Sequence, residues 1–158
     1  MSAIPKSEQS RVLITSSSQH IEGATTSSVW NIWKDISNWP SWDHNFNKTI
    51  LDGEFDIDSK ITIFHKQFPT PTVLRICHII ENFQFFTESF LSFGHVTVER
   101  EVIADLNGVK ITHSFYLLPS SEEMKKMFED KIASNVRNDF QNAVNNIAKI
   151  LEARQLEN

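Results

Sequence analysis

One long amphipathic stripe near the C-terminus constrains this chain more than any other feature. Met124, Phe128, Ile132, Val136 and Phe140 recur every four residues, and Val144, Ile147 and Leu151 continue them. The spacing predicts one helix with an apolar face over about 30 residues, roughly 45 Å long. Ser120, just after Pro119 and three residues before Glu123, reads as a capping box at its start. A face that long needs a large partner surface. The preceding sequence supplies one. Runs with a period near two lie at 46–52, 60–67, 72–81, 84–93, 95–105 and 109–118. Gly53, Pro69, Pro71, Asn82, Gly94 and Asn107-Gly108 separate them. A further strand reads across RVLITSSSQHIE, residues 11–22, and Gly23 ends it. Connections this short make neighbouring strands antiparallel. The expected fold is α+β, a curved seven-stranded antiparallel sheet wrapped around a long C-terminal helix.

Between the first two strands stands VWNIWKDISNWPSWD, with Trp30, Trp33, Trp39 and Trp42. Val29, Ile32, Trp33 and Ile36 share one helical face, after N-cap candidates at Thr25 to Ser28. Asn38 and Pro40 stop that helix, and a second short helix or turn carries Trp39 to Trp42. Trp33 reads as core. Trp39 and Trp42 read as packing about the Pro40 turn, with Trp42 the better ligand candidate of the two.

That element order, with Val29, Trp30, Asp35, Trp39, Pro40 and Trp42 at these places, resembles the START/Bet v 1-like (SRPBCC) superfamily, in particular its polyketide cyclase/dehydrase-like branch. The resemblance runs from about Val12 to Leu151. It implies a helix-grip fold with a cavity between sheet and helix. Its members bind sterols, lipids, hormones or polyketides, and some catalyse cyclisation or hydrolysis. In this family the region of Trp42 approaches the cavity mouth. The turn Ile57-Asp58-Ser59-Lys60 departs from the Pro-Gly pair the family often has there.

Asn107-Gly108 is the sharpest turn signal, since a type I′ hairpin needs positive φ at both central positions. As a two-residue turn it pairs Leu106 with Val109, Val102 with His113, and Arg100 with Phe115. Val96, Val98, Arg100 and Val102 then share an inward face with Val109, Ile111, His113, Phe115 and Leu117. Arg100 and His113 interrupt this apolar wall as diagonal neighbours. A buried guanidinium costs several kcal/mol unless paired, so it needs an acid, carbonyls, water or a ligand. The preceding turn, Phe93-Gly94-His95, leaves two registers open. With three residues in it, Phe86, Glu88 and Phe90 face inward and Glu88 meets Arg100. With two or four, Phe85, Thr87, Ser89, Leu91 and Phe93 do.

The chain has 158 residues, the size of a single domain, with 12 Phe and 4 Gly. We read 11–153 as that domain, 1–10 as a flexible N-terminus and 154–158 as a frayed C-terminus. A net charge of −5 without a basic stripe argues against nucleic acid. Cys77 is the one cysteine, which rules out an intrachain disulfide. The six His show no metal-ligand spacing, so neither metal nor cofactor is expected. MSAIPKSEQS has no apolar leader core and no run reaches membrane-spanning length, which suggests a cytoplasmic protein, a monomer or weak homodimer.

The expected function is binding or transport of a small hydrophobic molecule in an internal cavity. Trp42, Glu88, Phe90, Arg100, His113, Phe115, Phe128 and Ile132 are its candidate contacts. The alternative is an enzyme of cyclase/dehydrase or hydrolase type, with His113 as acid or base and Arg100 stabilising an oxyanion. A third reading is a partner-binding domain whose Phe side chains fill the cavity.

Overall fold

The computed structural model describes residues 11–157. The expected flexible segment 1–10 lies outside them. The elements are β1 (Val12–Glu22), α1 (Thr26–Lys34), a 3-10 helix (Ile36–Ser41), β2 (Phe46–Asp52), β3 (Lys60–His65), β4 (Thr72–Ile80), β5 (Gln84–Leu91), β6 (Gly94–Asp105), β7 (Gly108–Pro119), α2 (Glu122–Lys131) and α3 (Ala133–Leu156). All strands form one antiparallel sheet in the order β1-β7-β6-β5-β4-β3-β2. This is the helix-grip architecture, with α1 and the 3-10 helix between β1 and β2.

Thr25 caps α1 reciprocally with Ser28, satisfying two otherwise orphaned donors. Val29, Trp30, Ile32 and Trp33 are buried on that helix. Trp39 Nε1 donates to Trp33 O at 2.8 Å, which ties the 3-10 helix back onto α1. Both tryptophans are fully buried.

The C-terminal helix differs from the single rod the stripe predicts. It breaks at Ile132, which has φ −121° and ψ −40°. The physical reason lies in the stripe. Four residues advance about 400°, so each step drifts ~40° around a straight helix. Loosening one residue resets the face, while Ile132 N–H still bonds Phe128 O at 2.9 Å. The N-cap is Ser121 rather than Ser120: Met124 N–H donates to Ser121 Oγ, and Ser120 Oγ donates to Ser92 O instead. At the other end α3 runs to Leu156, beyond the expected domain limit at 153. There Gln155 Nε2 donates to Glu22 O at 2.9 Å.

The β6–β7 register also differs. Asp105 pairs with Gly108 and Ala104 with Val109, so Leu106-Asn107 is the turn. Asn107 takes positive φ (57°), and Gly108 serves a different need. A Cβ there would stand 2.1 Å from Ile21 O of β1. The shift is two residues, so the face assignment survives, and Arg100 and His113 become direct partners. At the other turn Leu91 pairs with Gly94, a two-residue turn that puts Phe85, Thr87 and Ser89 inside.

The buried apolar residues fall into two clusters. One contains Ile21, Val102, Ile111 and Phe85 with α1, the 3-10 helix and most of α3. The other contains Ile14, Val96, Phe115, Leu117 and Phe128. Between them runs one cross-strand row, Ser17–His113–Arg100, in register across β1, β7 and β6. All three residues are buried.

Gly108→Ala is expected to lower stability by about 1–3 kcal/mol through forced separation of β7 from β1. A urea-denaturation midpoint unchanged from wild type would contradict the close approach.

Candidate functional site

The polar row is roofed from above. α1 supplies Trp33, the segment after the 3-10 helix supplies Trp42, and α3 supplies Phe140. Their rings lie 5.7, 5.7 and 6.4 Å from the His113 ring.

Arg100 is 5% exposed. Its Nη1 donates to Thr87 Oγ1 at 3.1 Å. Its guanidinium carbon lies 5.0 Å from the Trp39 ring and 4.9 Å from Phe85. Two such faces recover part of the desolvation cost, about 2 kcal/mol each when dry. Nε is buried without a partner, and among the described residues no carboxylate forms an ion pair with Arg100. Burial pulls its pKa down to about 9, against the opposing pull of Asp43.

His113 has a defined role in this setting. Trp33 Nε1 donates to His113 Nε2 at 3.1 Å. A neutral imidazole that accepts at Nε2 carries its proton on Nδ1. Burial first, and Arg100 second, hold its pKa well below the usual 6.5. This geometry gives no support to His113 as an acid or base near neutral pH.

Beside the row lies a half-open cleft of about 200 Å³. Trp42, Asp43, His44 and Asn45 form one wall, and Asp139, Asn142, Ala143 and Asn146 of α3 the other. Asn146 Nδ2 donates to Trp42 O at 3.1 Å and clasps the two walls. Burial and the Asp139 carboxylate push Asp43 up to about 7, although the Asn45 backbone N–H and Arg100 act the other way. Trp42 itself is 3% exposed, and its Nε1 is a second buried donor without a partner among the described residues.

The expected contacts divide. Arg100, His113 and Trp42 come together. Phe115 and Phe128 stack at 5.7 Å in the second cluster, with Ile132 half-buried against them. Glu88 and Phe90 lie elsewhere, because the two-residue turn sends them to the outer face. Glu88 forms an ion pair with Arg75 at 2.9 Å, with His95 Nε2 3.7 Å away, and Phe90 is 76% exposed, stacked on His95 at 4.5 Å. The interior space is occupied by Trp33, Trp39, Phe85 and Phe128, all fully buried. Two concavities open at the surface. They are the cleft and a shallow depression of about 400 Å³ near Ile57–Lys60.

Sequence reasoning missed Asp139 and the donor role of Trp33, and it placed Thr87 inward in only one of two open registers. Asp139, Asn142 and Asn146 share a polar helical edge beside the apolar stripe, a usable signal. Thr87 depended on a turn length that the sequence left open. Cys77 is half-buried, with its thiol pushed up to about 11 mainly by burial, which makes it a poor nucleophile. Among the described residues no group of three or more His, Cys, Asp or Glu is placed to hold a metal ion, and no helix is long and apolar enough to cross a membrane.

No family model matches the chain, and neither does any curated protein. Solved structures match closely in shape. A Staphylococcus aureus protein of unknown function aligns with TM-score 0.71 at 10% identity, over 95% of this chain and 99% of that one. Norcoclaurine synthase from Thalictrum flavum aligns with TM-score 0.66 at 11% identity, over 96% and 92%. The di-domain ARO/CYC StfQ of the steffimycin biosynthetic pathway aligns with TM-score 0.70 at 8% identity, over 91% of this chain and 52% of that one. The chain therefore shares its fold with these proteins.

Linkage fixes two signs. Asp43 binds its proton more tightly folded than unfolded, so its contribution is full below about pH 4 and is lost as pH rises through about 7. Asp43→Asn is expected to raise stability relative to wild type, and by clearly more at pH 8 than at pH 5. His113 runs oppositely, costing stability as pH falls below 6.5. Urea denaturation at the two pH values checks the first, and a variant less stable at pH 8 would contradict it.

Proposed function

We propose that the protein binds a small, mainly hydrophobic molecule between the sheet and α3, with its polar end at Arg100 and Trp42. One observation carries this reading. Two buried donors, Arg100 Nε and Trp42 Nε1, lack acceptors beside a guanidinium that no carboxylate pairs among the described residues. A buried donor left unmade costs about 1–3 kcal/mol, more when charged. A ligand oxygen would remove that cost. Apolar burial would supply affinity at about 25 cal/mol per Å².

Trp33, Trp39, Phe85 and Phe128 occupy the interior, so admission requires movement. The stretch of α3 above the row is the least buried part of its inner face: Val136, Asp139 and Phe140 are all half-buried. Releasing the Asn146–Trp42 clasp would widen the cleft toward the row. Support by analogy comes from norcoclaurine synthase, solved in complex with dopamine and hydroxybenzaldehyde in this fold. Within the hydrophobic class, lipids, sterols and polyketides all suit the reading.

The uncharged fluorophore N-phenyl-1-naphthylamine is expected to bind at one site with enhanced emission. Arg100→Met is expected to keep that binding and to raise stability, since apolar replacement of a buried charge often stabilises by 1–4 kcal/mol. A folded wild-type protein that leaves the fluorophore unbound would overturn the reading.

A further inference from the structure

We propose that the ligand carries a carboxylate which seats on Arg100 and Trp42, and that Asp43 takes up a proton as it binds. This rests on the binding reading above and adds the charge of the head group and a partner for it.

Arg100 is a cation in an apolar wall, held by one hydroxyl and two aromatic faces. A neutral carbonyl would satisfy Nε but leave the charge uncompensated. A carboxylate supplies both, and a charge-assisted bond is about twice as strong as a neutral one. Low local dielectric strengthens it further. The two unpaired donors, Arg100 Nε and Trp42 Nε1, offer hydrogen bonds to its two oxygens.

The carboxylate whose charge Arg100 feels is Asp43, which stands off in the cleft wall and forms no ion pair among the described residues. Asp43 is faced by Asp139 from α3 and Arg100 from β6, with His44 beside it on the rim. Arg100 is faced in turn by His113 from β7 and Cys77 from β4. A second anion on Arg100 raises the potential cost of a charged Asp43. A proton from solvent then adds to an Asp43 carboxylate oxygen, and no other bond changes. Burial in the cleft wall pushes Asp43 up to about 7, so it is partly ionised at neutral pH and able to accept that proton. His113 stays neutral over this range and contributes none.

The test compares 1-naphthoate with its uncharged isostere 1-naphthamide by calorimetry between about pH 6 and 8. Naphthoate is ionised throughout. Wild type is expected to prefer naphthoate, with affinity falling about tenfold from pH 6 to 8, the limit for one linked proton. Asp43→Asn is expected to abolish the fall and to bind naphthoate more tightly than wild type at pH 8. His44→Gln is expected to keep the fall, which separates Asp43 from the rim histidine. Equal affinity for naphthamide, or a pH dependence that survives Asp43→Asn, overturns the inference. Binding of N-phenyl-1-naphthylamine without either naphthalene acid derivative overturns the charge assignment alone. Binding of none of the three overturns the site as well.

Discussion

A guanidinium on the inner face of a sheet needs compensation that the apolar residues of its own strand cannot give. Arg100 draws that compensation from Thr87, from the faces of Trp39 and Phe85, and at longer range from Asp43. They come from three parts of the chain: Thr87 and Phe85 from β5, Trp39 from the 3-10 helix and Asp43 from the segment before β2. The two-residue turn at Ser92-Phe93 brings Thr87 and Phe85 inward. The Pro40 region brings Trp39 over them, and β2 starts just after Asp43. With Ser17 and His113 in the same row, Arg100 divides the interior into two apolar clusters. A continuous apolar core would pack better, because buried charge pairs rarely improve stability over hydrophobic residues of equal volume. The row is a cost that a binding role would explain.

The roof over the row has the properties of a moving part. α1 and the 3-10 helix are fixed by the reciprocal cap at Thr25 and the Trp39–Trp33 bond. α3 is fixed at its C-terminal end by Val144, Ile147 and Leu151 and by Gln155 on β1. Between these anchors, the stretch around Asp139 and Phe140 is half-buried, and it reaches the opposite cleft wall through Asn146. The break at Ile132 lies just upstream. Low burial and a local helix break are where a structure opens at least cost. Two acids on facing walls, Asp43 and Asp139, add mutual repulsion when both are charged.

The fold was legible because period and punctuation agreed. The strand runs, the turn residues and the C-terminal stripe each specified the same architecture. The inward parity of Arg100 and His113 was legible too, since an error of two residues in the β6–β7 register leaves the face unchanged. Glu88 and Phe90 were misplaced because a turn length differing by one residue reverses a whole strand face, and Ser92, Phe93 and Gly94 fit either length. The helix break at Ile132 was implicit in a four-residue repeat that a straight helix cannot present to one surface. Asp139 was hidden for another reason. Its importance comes from facing Asp43 across a cleft, and that pairing exists only in three dimensions.

The most direct measurement is the NMR titration of the Arg100 Nε–H and Trp42 Nε1–H resonances with 1-naphthoate. Among the described residues both buried donors lack acceptors, so the account predicts large downfield shifts of the two, saturating together at one equivalent. Shifts confined to the outer face, with these two resonances unmoved at saturation, would contradict it.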